Sequence, residues 1–281
     1  RCTFRLTLKR SPSNSTKPLT LYGKTFNHAQ GRELHRLIRS IRMMSINTPG
    51  SFIIAQPLSY DEKLQTLWQT GLSGTSLRDV INHTNYKAFL ESAAKGLACL
   101  HGLDSAHFLH QGTFDQLDDI LEKIDTVIRE LPQCARPLDA IVSEIKQDLP
   151  RLSKISDKTV HGSFRIKEIL VCEEGLAVFD LDKVSIGDWV RDLALFLVDL
   201  HLIYRDKDLV RLMSSAFFHA YRSQVDWEVP IDRLKWHIKV QYLKKIYWIY
   251  KNKKLDTRLE KRIQKMITLI QNGIDFDPLS N

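Results

Sequence analysis

The feature that most constrains this chain is a change in its hydrophobic period near residue 72. Before that point apolar residues alternate. Phe4, Leu6 and Leu8 fall on one face of Thr3–Lys9, and the strand pattern resumes over Leu19–Phe26 after a Ser/Pro/Asn-rich loop at Ser11–Pro18. Alternation places successive side chains on opposite faces of a strand. Phe52–Ala55 and Leu64–Gln69 are shorter strand candidates. Between them and the first pair, Gln30–Met43 carries Leu34, Leu37, Ile38 and Ile41 at helical spacing, and Gly71–Gly74 reads as a turn. Beyond it the pattern turns helical. Tyr86, Phe89, Leu90, Ala93, Leu97 and Leu100 form one stripe, with further stripes over Leu117–Leu131 and Leu138–Ile145. Helices are also expected over Asp192–Ile203, Leu209–Tyr221, Ile231–Tyr250 and Thr257–Asn272. One hairpin is set among them: Ile169–Cys172 and Leu176–Asp180 around the turn Glu173-Glu174-Gly175. The expectation is an α+β, bilobal chain, with a small β-rich lobe over 1–72 and a large helical lobe over 73–281.

Composition narrows the class. With 43% hydrophobic and 26% charged residues, the chain can bury a core and is not a disordered polyelectrolyte. The longest apolar run, Leu193–Ile203, is broken by Asp199 and His201, so no membrane span is expected. Cys2, Cys99, Cys134 and Cys172 are scattered without a metal-type pair, which suits free thiols in a reducing, cytoplasmic setting. The net charge of +8 collects near Lys244–Lys254 and Arg258–Lys265. A solvated helix face explains it, and an anion-binding surface is the functional alternative; nucleic acid is not an expected partner on charge alone. The first residue is Arg1 rather than Met, and a strand pattern begins at once, so the small lobe is expected to be truncated at its start.

The chemistry concentrates in His161–Ala194. A hydrophobic strand ends in Asp180, and Asp182 follows two residues on. In an extended segment such positions point the same way, so the two carboxylates could share a divalent cation carried by phosphate groups. The same residues also read as turn formers after a strand. His161 and Glu168 flank the other strand of the hairpin, so all four groups could converge.

The stretch also resembles a known pattern. His161-Gly162, Asp180 and Asp182, then Gly187-Asp188 and Asp192-Leu193-Ala194 are similar to the H-G-D-x-x-x-x-N, I-D-x-D and G-D-x-x-x-D-L-A series of the aminoglycoside phosphotransferase and choline kinase family. Leu67–Gly74 resembles the hinge strand of that family, Gly96–His101 its L-x-x-L-H helix end, and Phe217–Tyr221 its F-x-x-A-Y motif. The resemblance implies a protein-kinase-like fold, an ATP-type nucleotide, Mg²⁺ and a small hydroxylated acceptor. It places Lys24, Glu33 and Gln69 at the nucleotide, Asp180, Glu168 and Asp182 at the metal, and His161 as a brace of the catalytic loop. Lys24 otherwise reads as an exposed strand lysine, and Glu33 as a first-turn acid that suits the helix dipole.

Two positions depart from the pattern. Ser163 stands where the family has the Asp that accepts the proton of the acceptor hydroxyl, and Glu168 stands where it has a metal-binding Asn. A serine hydroxyl is a poor base near neutral pH. Arg165 lies two residues beyond Ser163, placed either to hold a phosphate or to pair with Asp180. No glycine-rich phosphate loop precedes the first strand. The expected function is a pseudokinase or very weak phosphotransferase, to be studied with a nucleotide and also through a protein partner. The alternative is an active ATP-dependent phosphotransferase acting on a small hydroxylated substrate.

Overall fold

The computed structural model describes residues 2–8, 19–26, 30–103, 115–252 and 258–274. The loop expected at Ser11–Pro18 lies outside them. Strand β1 (Thr3–Leu8) and β2 (Leu19–Thr25) pair antiparallel and lead into helix α1 (Gln30–Ile46). After it come β3 (Ile53–Ile54), β4 (Pro57–Asp61) and β5 (Thr66–Thr70). The first sheet runs in the order β1-β2-β5-β4, and α1 packs on it through Gly31, Leu34, Ile38 and Ile41. These residues recur at helical spacing, so one stripe of α1 is buried and the charged remainder is left to solvent.

Strand β1 keeps its alternation but not a buried face. Phe4, Leu6 and Leu8 do share a face, but they are 45%, 44% and 47% exposed. The strand is at the sheet edge, beside β2 alone among the described strands, and α1 packs further along, against β4 and β5. Strand β4 escaped the sequence reading because Pro57-Leu58-Ser59-Tyr60-Asp61 has no clean alternation and its pairing shifts register between Pro57 and Ser59.

The helical part begins with β6 (Thr75–Ser76), α2 (Leu77–Val80) and α3 (Tyr86–His101). It continues with α4 (Asp115–Glu130), α5 (Pro132–Asp148) and β7 (Lys158–Val160), then the hairpin β8 (Ile169–Cys172) and β9 (Gly175–Val178), and β10 (Ser185–Gly187). Helices α6 (Val190–Ile203), α7 (Lys207–Gln224), α8 (Ile231–Lys251) and α9 (Leu259–Asn272) complete it. The apolar faces of α3, α6, α7 and α8 meet in a core that includes Leu97, Phe164, Phe196, Phe217 and Tyr242. A second sheet joins the two parts in the order β3-β9-β8-β6. Its β3 pairs parallel with β9, Ile54 opposite Val178, and β6 pairs antiparallel with β8. The Phe52–Ala55 strand candidate therefore adds to the hairpin and not to the first sheet. No helix among the described residues is long and apolar enough to cross a membrane.

Candidate active site

The hairpin carries its polar residues to the junction of the two sheets. Lys24 projects from β2, and its Nζ lies 3.2 Å from Asp180 Oδ1 and 3.1 Å from Asp182 Oδ2. Gln69, on the neighbouring β5, lines the same cleft, an opening of about 430 Å³ that also reaches Tyr22, Leu170 and Phe179. That size falls within the range of small-molecule sites. Asp182 is almost closed off, at 4% side-chain exposure, whereas Asp180 is 42% exposed. Convergence of the two acids does not come from an extended strand. Asp180 adopts the left-handed conformation (φ 62°, ψ 45°), and a single 3₁₀ turn over Leu181–Lys183 follows. Aspartate tolerates this region better than most residues, and such conformations cluster at functional sites.

The loop preceding the hairpin is held from beneath. The Asp192 carboxylate, fully buried at the start of α6, accepts the backbone N–H of His161 at 2.6 Å and of Gly162 at 3.0 Å. His101, the last residue of α3, sets its Nε2 3.4 Å from Asp192 and its Nδ1 2.7 Å from the Tyr221 hydroxyl. Burial alone would raise the Asp192 pKa, but His101, His161 and Arg191 outweigh it and hold the carboxyl below its ordinary value. Burial lowers the pKa of His101, so this imidazole is neutral, donating from Nε2 and accepting the Tyr221 proton. Gly162 has φ +77°, and a Cβ there would stand 2.5 Å from the Lys183 carbonyl oxygen, so the loop needs glycine at that position.

The sequence pattern of the phosphotransferase enzyme family (APH) matches residues 17–230. The chain belongs to this family. Solved structures agree on the protein-kinase-like fold. A choline/ethanolamine kinase family protein from Mesorhizobium loti aligns over 91% of this chain and 85% of its own, at 16% identity and a TM-score of 0.62. A thermostable mutant of an aminoglycoside phosphotransferase in a ternary complex with ADP and hygromycin B covers 96% of this chain and 94% of its own, at 12% identity and a TM-score of 0.63. The GDP complex of aminoglycoside 2'-phosphotransferase-IIIa covers 96% and 92%, at 14% identity and a TM-score of 0.60. No curated protein matches the chain in sequence.

Ser163, where the sequence pattern led one to expect the reactive aspartate, is only 3% exposed. Its Oγ lies 3.3 Å from His161 Nδ1 and 3.4 Å from the Asp180 carbonyl oxygen. His161 Nε2 is 3.1 Å from the Phe179 carbonyl oxygen, which can only accept, so the proton resides on Nε2 and Nδ1 is left as an acceptor. His161 is buried beneath the loop and does not face the cleft, contrary to the four-group convergence drawn from the sequence.

Three other expected residues are placed differently. Glu33 is on the exposed side of α1, one residue off its buried stripe, and makes no contact with Lys24; the stripe itself presents Ile38 to that lysine. Arg165 forms no ion pair with Asp180. Its Nε is buried without a hydrogen-bond partner, and its charge acts on Glu168, Asp199 and Lys245. Glu168 is buried with its Oε1 3.4 Å from Lys167 Nζ. Burial raises its pKa, Lys167 opposes, and the charge of nearby Asp180 adds to the rise. Among the described residues no three His, Cys, Asp or Glu side chains gather as a ready metal cage.

The sequence reading missed the clamp on Asp188. Its Oδ2 accepts from Arg233 Nε and His237 Nε2, both at 2.6 Å, and its Oδ1 from the Val190 N–H at 3.1 Å. Burial favours the neutral acid, but His237 and Arg233 prevail and lower its pKa. Burial keeps His237 itself neutral, so Arg233 is the standing cation. The available signal was an Arg and a His four residues apart, on the apolar face of α8 beside Leu234 and Ile238.

Proposed function

We propose that this chain is a kinase-fold member of the phosphotransferase family that binds a nucleotide, ATP with Mg²⁺, between Lys24 and Asp180, and transfers phosphate very slowly or not at all. On this reading residues 1–72 supply the nucleotide side and 73–281 the loop side. Nucleotides in similar structures, ADP in the hygromycin B complex and GDP in the 2'-phosphotransferase, support the first half. The cleft volume and Lys24 support it as well: an ammonium held by two acids can turn to phosphate oxygens while those acids turn to a cation. Asp180 and Asp182 supply the oxygen donors that suit Mg²⁺, with Glu168 a weaker third through its nearness to Asp180. Bound with the nucleotide, Mg²⁺ would neutralise phosphate charge. Gln69 lines the cleft as a nucleotide contact, and His161 braces the loop. Arg165 turns toward phosphate only by leaving its present surroundings.

Ser163 is the observation that carries the second half. The group at the reactive position is a nearly buried hydroxyl, engaged with His161 and the Asp180 carbonyl, and no carboxylate replaces it. General base catalysis is worth roughly 10²–10⁴ in rate. The test is ATP turnover with hydroxylated acceptors in the wild type and in Ser163→Asp. The expected result is no detectable wild-type turnover and a gain in the variant of up to about 10²–10⁴. In parallel, ATP with Mg²⁺ at about 100 times its Kd should stabilise the fold by about 2.7 kcal/mol. Absence of that stabilisation in both forms would show the cleft to be vestigial.

One observation favours an active enzyme as the second reading. His161 Nδ1 faces the Ser163 hydroxyl with its tautomer fixed by Phe179. As an acceptor oxygen bonds to the γ-phosphorus and the bond to the bridging oxygen of ADP breaks, its proton can pass to Ser163 Oγ while the Ser163 proton moves to Nδ1. Robust wild-type turnover that is lost in Ser163→Ala would decide for this relay.

A further inference from the structure

The outer side of α1 carries a row of exposed residues in two halves of different chemistry. Gly31, Leu34, Ile38, Ile41 and Ser45 form the buried stripe of the helix. Directly opposite, at the same helical spacing, stand Arg32, Arg36, Arg39, Met43 and Ile46, all exposed. At 1.5 Å per residue the row is about 21 Å long. Its first half is cationic. Arg32 Nη2 pairs with Glu62 Oε2 at 2.7 Å, whereas the guanidinium groups of Arg36 and Arg39 make no ion pair among the described residues. Glu33 is the only acid in α1 and lies off the row. His35 flanks it. Burial lowers the pKa of His35, and the charges of Arg39 and Arg36 lower it further, as cations do where acids do not offset them. The second half is apolar. Met43 is 60% exposed and Ile46 64%, among the most exposed large apolar side chains described. The row faces away from the sheet, and none of it lines the nucleotide cleft.

We propose that this row of α1 is a docking surface for an acidic protein segment, whose carboxylates meet Arg36 and Arg39 and whose apolar residues meet Met43 and Ile46.

Charge complementarity sets the class of partner. Guanidinium groups pair with carboxylates through parallel hydrogen bonds, and Arg and Met are both enriched where proteins meet. The order of residues along the row then selects among anionic partners. Helices that lie on a bilayer set a polar face rich in Lys and Arg against a broad apolar face. Here the basic and apolar residues follow one another in single file, and the broad apolar face is buried against the sheet. A nucleic acid presents phosphate along its whole length, with nothing apolar for Met43 and Ile46. A peptide can carry acids in one half and apolar side chains in the other. The inference stands whether or not the cleft binds a nucleotide.

The test is a set of titrations on the full chain at near-physiological salt, read by fluorescence anisotropy for labelled peptides and RNA and by co-sedimentation for vesicles. The probes are a peptide with glutamates in one half and leucines in the other, a peptide of the same composition with the two interspersed, a single-stranded RNA, and vesicles of phosphatidylserine and phosphatidylcholine. The block peptide should bind most tightly. Arg36→Glu with Arg39→Glu should weaken it about tenfold or more, because like charges set against one another across an interface are strongly unfavourable. Met43→Gln with Ile46→Gln should weaken it several-fold, a loss that unspecific attraction to net charge would not show. All four side chains are exposed, so both variants should keep the wild-type melting temperature and the wild-type response to ATP. Unchanged binding in either double variant, equal binding of the interspersed peptide, tighter binding of RNA or vesicles, or no binding of the block peptide would each overturn the proposal.

Discussion

Two pairs of aspartates stand within thirteen residues of one another and have opposite surroundings. Asp188 and Asp192 are buried, and hydrogen bonds from Arg233, His237, His101 and loop backbone N–H groups fill their oxygens. Asp180 faces a cleft, Asp182 lies almost closed off beside it, and the two share a lysine from another sheet. The oxygens of the first pair are taken up by these bonds, those of Asp192 fixing the loop and those of Asp188 tying the start of α6 to α8. The second is bridged by a long, rotatable lysine side chain, a partner that can turn to another anion. The structure thus supports the loop from beneath through Asp192, while Ser163 stands nearly buried within that loop. A buried carboxylate surrounded by donors is architecture; a part-exposed carboxylate at a cleft, with an ammonium 3.2 Å away, can meet a ligand.

The contrast can be broken most severely at the buried pair. Asp188→Ala leaves the Arg233 guanidinium buried without its partner, and the expected loss is about 3–5 kcal/mol of unfolding free energy, read by chemical denaturation. A loss below about 1 kcal/mol would refute the claim that this clamp holds α6 against α8.

Acid should expose the same difference more gently. His101, His161 and His237 have pKa values lowered by burial, so below about pH 6.5 the unfolded chain takes up protons that the folded chain does not. Stability should decline from there. Asp188 and Asp192 have lowered folded-state values, so their contribution is present above the unfolded carboxylate pKa of about 3.9 and is lost as pH falls through the folded ones. Denaturation midpoints flat from pH 7.5 to 5 would rule out the neutral buried histidines.

The smallest effect on stability is expected at the open pair. Asp180→Ala removes a part-exposed ion pair and should cost no more than about 1 kcal/mol. The same change should abolish the ATP-dependent rise in melting temperature. If it destabilised the fold as strongly as Asp188→Ala, the two pairs would not differ as described.

The local features were legible in the sequence because they depend on neighbours in the chain. Apolar spacing along Tyr86–Leu100 and Leu117–Leu131 marked α3 and α4, and Gly175 after two glutamates marked the hairpin. Motif order alone pointed to Lys24, Gln69 and Asp180 at one cleft, with Asp182 beside Lys24, and to Asp192 at the loop. What only the tertiary structure decided concerns which surfaces meet. Glu33 and Ile38 share a helix, yet the sheet beneath α1 selects the second to face Lys24. Asp180 and Asp182 converge through a left-handed turn that no alternation rule contains. Phe4, Leu6 and Leu8 have a core pattern but remain exposed, because a strand's face is buried only where another element lies on it. The partners of Asp188 come from a helix forty-five residues downstream, and an ion pair across that distance leaves no period in the chain.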